Sequence, residues 1–301
     1  MNNILVLGGT QFFGKRLVER LIEEGKNVTI ATRGKTADSF GDKVNRLILD
    51  REDKDSIISA LKGQTWDIVY DQTCYSPQEV KDVADVLKGK VKRYIFTSSQ
   101  AVYDYGTLHK EENFNPNEFK YEFKGRREYP GYEGYQEAKR AAEAYLFQET
   151  DFEVVAVRFS IVVGRDDYTN RLKFHVDKVL NDEPIGIKNV DSRYGYILSH
   201  EAASFLYEIG QSSFTGPINP GCAGDISMRE LLDMIENQTG KSAIVTDELN
   251  QTNASPFSLP GSWSTNTEKA ETLGFTFSDL HKTLNELIEF YKSENVKVVN
   301  K

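Results

Sequence analysis

The sequence predicts an α/β protein built on a doubly wound parallel sheet, with a smaller lobe in its C-terminal half. Short β-branched and aliphatic runs alternate with longer segments in which apolar residues recur every three or four positions. Strands that are joined through helices run parallel, and the helices cover both faces of the sheet. The predicted strands are Ile4–Leu7, Val28–Ala31, Asn45–Leu49, Asp67–Asp71, Arg93–Thr97 and Glu153–Arg158. The predicted helices between them are Gly14–Glu24, Asp53–Lys62, Pro77–Leu87 and Tyr135–Glu149.

The regular alternation ends near Gly164, and the remaining chain is predicted to be mostly helical. Ser227, with Glu230 three residues later, is typical of a capping box at a helix start. The stretch Asn250–Ser264 is rich in Ser, Thr, Asn and Pro and predicts an exposed loop. The helices predicted here are Asp166–Leu180 (after an initial loop), Glu201–Ile209, Ser227–Thr239 and Asp279–Lys292.

The length of 301 residues suits one large domain and a smaller lobe. We expect residues 1–165 to form the first domain, which also receives a strand near 216–219, and residues 166–301 to form most of an interleaved second lobe. Hydrophobic residues make up 39% of the chain, and no apolar run approaches the roughly 20 residues that a membrane-spanning helix needs. A membrane protein is therefore not expected.

The net charge, the start of the chain and the cysteine and histidine positions bear on nucleic-acid binding, location and metal binding. The net charge of −9 disfavours bulk binding of nucleic acid, because an acidic surface repels phosphate backbones. The chain begins without the pattern of a signal peptide, so we expect a cytoplasmic location. Cys74 and Cys222 lack metal-ligand spacing and the four histidines are scattered, so no metal site is predicted.

A glycine-rich loop joins the first predicted strand to the first predicted helix. Glycine allows the backbone to approach a pyrophosphate, and the helix N-terminus offers free N–H groups. The spacing from Gly9 to Lys15 also matches a phosphate-binding P-loop, but Arg16 stands where that loop needs Ser or Thr to hold magnesium. The context therefore predicts a site for NAD or NADP. The loop residues expected to contact this cofactor are Gly8, Thr10, Gln11, Phe12, Phe13 and Gly14.

The end of the second strand favours NADP over NAD. A site that prefers NAD presents Asp or Glu there to the ribose 2′-hydroxyl, and this sequence has Arg33 and Lys35 instead. Both cations could pair with a 2′-phosphate, for which guanidinium geometry is well suited. In the alternative interpretation, Arg33 stacks on adenine or lies in solvent.

The segment Gly8-Gly9-Thr10-Gln11-Phe12-Phe13-Gly14 resembles the G-x-x-G-x-x-G fingerprint of extended short-chain dehydrogenases/reductases, the sugar-nucleotide epimerase/dehydratase family. Gln11 replaces the middle glycine. This resembles an atypical Gly-Gly-Thr-x-Phe-x-Gly branch, which includes bacterial epimerase-like proteins and chloroplast stem-loop RNA-binding proteins. The resemblance implies a Rossmann-like fold with a C-terminal substrate lobe. It also implies that Asp50 and Arg51 lie beside the adenine and that Thr73 lines the cofactor site.

The same family's catalytic residues have counterparts in order along the chain. The run Tyr94–Tyr103 resembles the family's fifth strand, which makes Ser99 the catalytic serine. Tyr135 and Lys139 have the Tyr-x-x-x-Lys spacing and lie on one helix face. Tyr135 would exchange a proton with the substrate, assisted by the Lys139 ammonium, because a free phenol is a poor base at neutral pH. Lys139 and Tyr135 would also contact the cofactor. Alternatively, Tyr135 and Lys139 face solvent and Ser99 merely ends a strand.

Ser99 and Tyr135 are 36 positions apart, which is longer than the family commonly shows. The charged aromatic run Phe119–Arg127 lies between them and is either a lid or a solvated loop. Further on, Arg171 and Arg193 are candidates for binding an anionic substrate such as a nucleotide-sugar diphosphate. As lone arginines they could equally be surface salt-bridge partners.

Together these features predict an NADP- or NAD-dependent oxidoreductase that acts as an epimerase, dehydratase or reductase on a sugar-like hydroxyl or carbonyl. The alternative is a non-catalytic NAD(P)-sensing regulator or an RNA-binding relative. Retention of Ser99, Tyr135 and Lys139 favours the enzyme. The resemblance also implies a homodimer that pairs through Pro77–Leu87 and Tyr135–Glu149.

Overall fold

The computed structural model of the chain describes residues 1–299. The strands are β1 (Asn3–Leu7), β2 (Asn27–Thr32), β3 (Asn45–Ile48), β4 (Trp66–Asp71), β5 (Val91–Ser99), β6 (Gly106–His109), β7 (Glu153–Phe159), β8 (Ile161–Val163), β9 (Pro184–Gly186), β10 (Arg193–Tyr194), β11 (Tyr196–Leu198), β12 (Gly216–Ile218), β13 (Ile226–Ser227), β14 (Ile244–Thr246) and β15 (Trp263–Thr265). The helices are α1 (Phe12–Glu23), α2 (Lys54–Leu61), α3 (Pro77–Leu87), α4 (Gly131–Glu149), α5 (Arg171–Leu180), α6 (Ser199–Gln211), α7 (Met228–Thr239), α8 (Glu268–Thr272) and α9 (Leu280–Val299).

The chain divides into two compact units, and the first consists of residues 1–103, 111–159 and 200–220. Its sheet has the order β12-β7-β5-β4-β1-β2-β3, and the pairings are parallel. This confirms the predicted doubly wound parallel sheet. The chain turns from one half of the sheet to the other between β1 and β4. In open sheets of this kind, ligands bind at the carboxyl ends of the strands beside that switch point.

The predicted strands and helices of this unit are present, with boundaries that shift by a few residues. Helix α4 begins at Gly131 rather than at Tyr135, because Pro130 in extended conformation starts the helix before its apolar pattern does. Strands β1 and β4 are almost entirely buried, since helices cover both faces of the sheet. Ile4–Leu7 of β1 and Ile68–Val69 of β4 supply aliphatic side chains to this buried interior.

The second unit consists of residues 104–110, 160–199 and 221 onward. It contains a four-stranded sheet of order β13-β10-β15-β6, two small parallel pairs (β11 with β8 and β14 with β9), and the packed helices α5, α7 and α9. The capping box that the sequence predicts is present. Ser227 Oγ accepts a hydrogen bond from the Glu230 N–H (3.1 Å), and the Glu230 carboxylate accepts one from the Ser227 N–H (2.6 Å).

The prediction that Asn250–Ser264 is an exposed loop is wrong for part of the segment, because Asn253, Ser255, Phe257, Leu259, Trp263 and Ser264 are buried. Phe257 is buried, and its ring stacks on that of His175 with centroids 5.0 Å apart. Ser255 Oγ bonds to His175 Nε2 (2.7 Å), and Asn253 Nδ2 donates to the Glu248 carbonyl (2.9 Å). Polar turn-forming residues indicate irregular backbone, but here several of their hydrogen bonds are made inside the unit, so exposed and buried residues alternate along an irregular segment.

Two properties of residues 1–299 bear on function. None of the helices within residues 1–299 combines the length and apolarity that crossing a membrane requires. Over the same part of the chain, His, Cys, Asp and Glu side chains do not gather in a group of three or more that could hold a metal ion.

Candidate active site

The glycine loop between β1 and α1 adopts backbone conformations that require glycine. Gly8 and Gly9 have φ angles of +104° and +86°. A Cβ on Gly9 would lie 2.8 Å from Val18 Cγ2 and 2.9 Å from Val6 Cγ1, so the close packing of helix on strand also excludes a side chain. The loop therefore brings bare backbone to the N-terminus of α1, the arrangement that binds a pyrophosphate.

Gly14 of α1 is constrained by the side chain of Gln72. A Cβ at this position would collide with Oε1 of Gln72, which follows β4. Gln72 Nε2 is buried and forms no hydrogen bond to another atom of residues 1–299. Gln72 thus packs against the glycine loop near the start of α1, with its side-chain N–H groups unused among residues 1–299.

A cavity of about 340 Å³ opens beside the glycine loop, at the carboxyl ends of β1, β2 and β3. It is lined by Gly8, Thr10, Gln11, Ala31, Thr32, Arg33, Lys35, Thr36, Leu49, Asp50, Arg51, Glu52, Thr73 and Arg126. Of the sequence-predicted cofactor residues, it brings together Gly8, Thr10, Gln11, Arg33, Asp50, Arg51 and Thr73. It does not include the other five: Phe12, Phe13, Gly14, Tyr135 and Lys139. The Phe13 ring instead packs against Phe159, with centroids 5.4 Å apart.

The cations of this cavity differ in whether they are paired. Arg51 is buried, and its guanidinium pairs with the Asp71 carboxylate, which also accepts a hydrogen bond from Tyr94 Oη (2.5 Å). Burial lowers the pKa of Arg51, but Asp71 more than compensates, so the net pKa lies above its ordinary value. Arg33 and Lys35, in contrast, have neither an ion-pair nor a hydrogen-bond partner among residues 1–299. The side chains of Arg33 and Lys35 are therefore available to bind an anion in this cavity.

Lys139 is held by two backbone carbonyls. Its Nζ donates to the carbonyl of Cys74 (2.7 Å) and to that of Thr97 (3.0 Å), and the side chain is buried. The same Nζ lies 6.0 Å from the centre of the Tyr135 ring. An ammonium group has three donors, so one N–H remains for a further acceptor. The Lys139 side chain is therefore fixed in position beside the partly exposed phenol of Tyr135.

Ser99 and Tyr135 are positioned by contacts between α4 and the turn that follows β5. Ser99 Oγ accepts a hydrogen bond from the Ala101 N–H (3.1 Å), which leaves its own hydrogen free to donate. Gln136 Nε2 donates to the Tyr103 carbonyl (2.5 Å) and so ties the turn to the first part of the helix. The Tyr135 ring packs against Tyr75, with centroids 5.3 Å apart. The three predicted catalytic residues thus belong to one connected region.

A buried ion pair that was not predicted from the sequence belongs to a network that connects the strand and the helix that carry these residues. Arg158 and Glu143 are both fully buried, and Arg158 Nη2 lies 2.7 Å from Glu143 Oε2. Arg158 Nη1 also donates to Tyr103 Oη (2.9 Å), and Ser98 donates to Glu143. The network joins β5, β7 and α4. The one signal in the sequence is a glutamate on the alanine-rich face of α4, which is easily taken for a solvent-exposed charge.

The two predicted substrate arginines lie in the second unit and are both engaged. Arg171 Nη2 donates to the Val162 carbonyl (2.8 Å), and its Nε donates to Thr169 Oγ1 (3.0 Å). Arg193 pairs with Asp225 (2.6 Å) and Glu230 (3.1 Å). Their roles in substrate binding stay predictions.

Three comparisons relate the chain to known proteins. The sequence model of the NAD dependent epimerase/dehydratase family matches residues 4–211. The UDP-glucose 4-epimerase of Thermus thermophilus, solved in complex with NAD, is 18% identical with a TM-score of 0.73, over 96% of this chain and 98% of that one. The UDP-glucose 4-epimerase of Thermotoga maritima, solved with UDP-glucose, is 16% identical with a TM-score of 0.75, over 98% of this chain and 99% of that one. At these identities the two structures show a shared fold.

A relative by sequence is the chloroplast stem-loop binding protein of 41 kDa b from Arabidopsis thaliana. It is 37% identical over 114 residues, which cover 33% of this chain and 30% of the Arabidopsis protein. The similarity therefore spans less than a third of that relative. The family match, in contrast, covers more than half of the chain and includes the glycine loop, β5 and α4. The chain accordingly belongs to the NAD dependent epimerase/dehydratase family.

Proposed function

We propose that the enzyme acts as an epimerase, dehydratase or reductase on a hydroxyl or carbonyl of a sugar-like substrate, with NADP as the preferred cofactor. The observation that carries this proposal is the position of the Lys139 ammonium, which two backbone carbonyls hold 6.0 Å from the Tyr135 ring. A surface-facing pair on an ordinary amphipathic helix would not bury the lysine in this way. When bound, the nicotinamide would supply the acceptor and donor of hydride.

Proton transfer is assigned to Tyr135. Tyr135 would take the proton from a substrate hydroxyl, and its phenol would return the proton to a carbonyl oxygen, with the Lys139 side chain held beside the ring. Ser99, whose oxygen already accepts from the Ala101 N–H, donates its own hydrogen to the same substrate oxygen. The third N–H of Lys139 is free to bind a hydroxyl of the nicotinamide ribose.

The residues around the glycine loop fit a dinucleotide. Gly8 and Gly9 keep the backbone bare at the N-terminus of α1, where the pyrophosphate would bind. The preference for NADP rests on Arg33 and Lys35, which line the cavity and carry charges that no carboxylate of residues 1–299 neutralises. A 2′-phosphate would supply that missing charge.

The substrate class is proposed as a nucleotide sugar. This rests on the shared fold of the two UDP-glucose 4-epimerases, one of which was solved with UDP-glucose. Fold alone does not fix a substrate, so the class needs a direct test. The alternative of an RNA-binding or sensing protein has less support, because the net charge is −9 and Ser99, Tyr135 and Lys139 are all retained.

Two experiments test the proposal. Fluorescence titration with NADPH and NADH should give tighter binding of NADPH, and Arg33→Ala with Lys35→Ala should remove the difference. Incubation with a panel of UDP- and dTDP-sugars, followed by chromatography, should reveal a converted sugar, and Tyr135→Phe should slow the conversion at least about 100-fold. Tyr132→Phe is the matched control, since Tyr132 is an exposed tyrosine of the same helix. Equal activity of Tyr135→Phe and wild type would refute the assigned mechanism.

A homodimer that pairs through α3 and α4 is also proposed from the resemblance. Such pairing must accommodate residues 114–129, which lie along part of α4: Gln148 Nε2 donates to the Pro116 carbonyl (2.6 Å), and the Phe123 ring packs against Tyr145. Light scattering of the purified protein distinguishes one copy from two.

A further inference from the structure

The segment that lengthens the chain between Ser99 and Tyr135 contributes Arg126 to the wall of the cofactor cavity. We name residues 114–129 the inserted segment. Gln148 of α4 holds its first part through the Pro116 and Phe119 carbonyls (2.6 and 3.0 Å). Tyr129, near its end, is buried. The segment is therefore anchored on the first unit at both ends.

A tight turn near the end of the inserted segment is fixed without any ligand. Gly125 donates its N–H to the Glu128 carboxylate (2.7 Å), which closes a single 3₁₀ turn over Arg126–Glu128. Arg127 pairs with Glu52 at the rim of the cavity (2.8 Å). These bonds place Arg126 in the cavity wall before a cofactor arrives, so its ordering is not a cost of binding.

Arg126 is held through its Nε and Nη2 atoms. Its Nε and Nη2 pair with Glu79, which is buried, and Nη2 also donates to the Thr73 carbonyl (3.2 Å). The guanidinium carbon lies 5.6 Å from the centre of the Tyr75 ring. Nη1 forms no hydrogen bond to another atom of residues 1–299. The side chain is 34% exposed, so it retains both a free donor and open surface.

Building on the proposed function, we propose that Arg126 is a further cofactor-binding residue and that its partner is the adenine base. Asp50 and Thr73 line the same cavity as Arg126, together with Gly8, Thr10 and Gln11 of the glycine loop. Adenine offers ring nitrogens that accept from Nη1 and a flat face on which a guanidinium stacks.

The ion pair with Glu79 makes Arg126 less suited to bind a phosphate than an arginine without a carboxylate partner. Glu79 already neutralises Arg126, so its attraction for a phosphate is reduced. Arg33 and Lys35 have no such partner among the described residues and are better placed to attract a 2′-phosphate. Arg126 should therefore strengthen binding of every adenine dinucleotide, whereas Arg33 and Lys35 should strengthen binding of NADPH alone.

Titration of the full-length variants with NADPH, NADH and ADP-ribose tests this division. Arg126→Ala should weaken all three ligands by a similar factor of about tenfold, the usual effect of losing one hydrogen bond to a charged group. Arg126→Lys should fail to restore the affinity, because an ammonium neither stacks like a guanidinium nor presents Nη1. Lys124→Ala is the matched control from the same segment and should bind all three ligands as the wild type does, because Lys124 pairs with Glu122 and neither residue lines the cavity.

The outcomes separate the two proposals. If Arg126→Ala weakens the binding of NADPH alone, Arg126 contacts the 2′-phosphate. If the affinity for all three ligands is unchanged, Arg126 has only a structural role in the cavity wall. Either result overturns the inference. Failure of the wild type to bind any dinucleotide would instead overturn the proposed function. Because Glu79 loses a partner in Arg126→Ala, a second measurement uses the wild type itself. AMP should slow modification of Arg126 by phenylglyoxal, whereas inorganic pyrophosphate should not.

Discussion

Replacing His175 by phenylalanine should remove a large acid-sensitive contribution to stability. The imidazole is fully buried on α5, where Nδ1 bonds to the Arg171 carbonyl (2.9 Å), Nε2 bonds to Ser255 Oγ (2.7 Å) and the ring stacks on Phe257. Burial lowers the pKa of His175 from 6.5 to about 4, although the backbone contacts partly oppose the shift. The neutral ring is therefore the folded form at pH 7.

The sign of the pH effect follows from which state binds the proton. Between pH 6.5 and about 4, the unfolded chain gains a proton on His175 that the folded protein does not accept, so stability falls as the pH falls. A difference of 6.5 − 4 = 2.5 in pKa corresponds to about 3 kcal/mol of unfolding free energy lost across this window. Above pH 6.5 the contribution is constant.

Urea unfolding at pH 7.5, 6.0, 5.0 and 4.0 measures the effect. His175→Phe should be less stable than the wild type at pH 7.5, since the two hydrogen bonds are lost, but its stability should decline less steeply with acid. Carboxylates that titrate in both proteins cancel in the difference. His281→Gln, at an exposed histidine of α9, is the control and should follow the wild type, because its ring stays in water in both states. Parallel pH profiles of wild type and His175→Phe would refute the reasoning.

Three further changes test the site and its scaffold. Gly14→Ala should weaken NADPH binding in a fluorescence titration because the new Cβ meets Gln72, and adding Gln72→Ala should restore it; no recovery would contradict the steric explanation. Glu143→Gln should cost about 3 kcal/mol or more in urea unfolding, since Arg158 is left buried without its carboxylate. Ser227→Ala should cost about 1 kcal/mol in the same assay through loss of the helix cap, and a change near zero would argue against that cap.

Features that depend on neighbouring residues were predictable from the sequence. The buried strands β1 and β4 show as apolar runs, and the glycines of the loop show where backbone must lie close to helix α1. The capping box at Ser227 requires two residues three positions apart, so it too is visible locally. The family resemblance extended these local signals to the order of the catalytic residues.

Features that depend on distant partners were not predictable. Arg51 was expected beside the adenine and does line the cavity, yet its guanidinium is committed to Asp71, which comes from the end of a different strand. The resemblance transfers the position of a side chain but not its partner. Phe257 likewise lies in a segment of loop-like composition, and its burial becomes apparent only once α5 places His175 against it.

Lys139 belongs to a short sequence motif of the candidate catalytic region, but the groups that hold it come from distant parts of the chain. Its spacing from Tyr135 is a property of one helix, but the carbonyls that hold its ammonium belong to Cys74 and Thr97, 65 and 42 positions away. Both acceptors are backbone atoms, so their presence depends on where β4 and β5 end and not on which side chains those residues carry. The Tyr-x-x-x-Lys spacing of Tyr135 and Lys139 can therefore be recognised in the sequence. The fixed position of Lys139 Nζ, in contrast, depends on the parallel sheet, which places the two carbonyls.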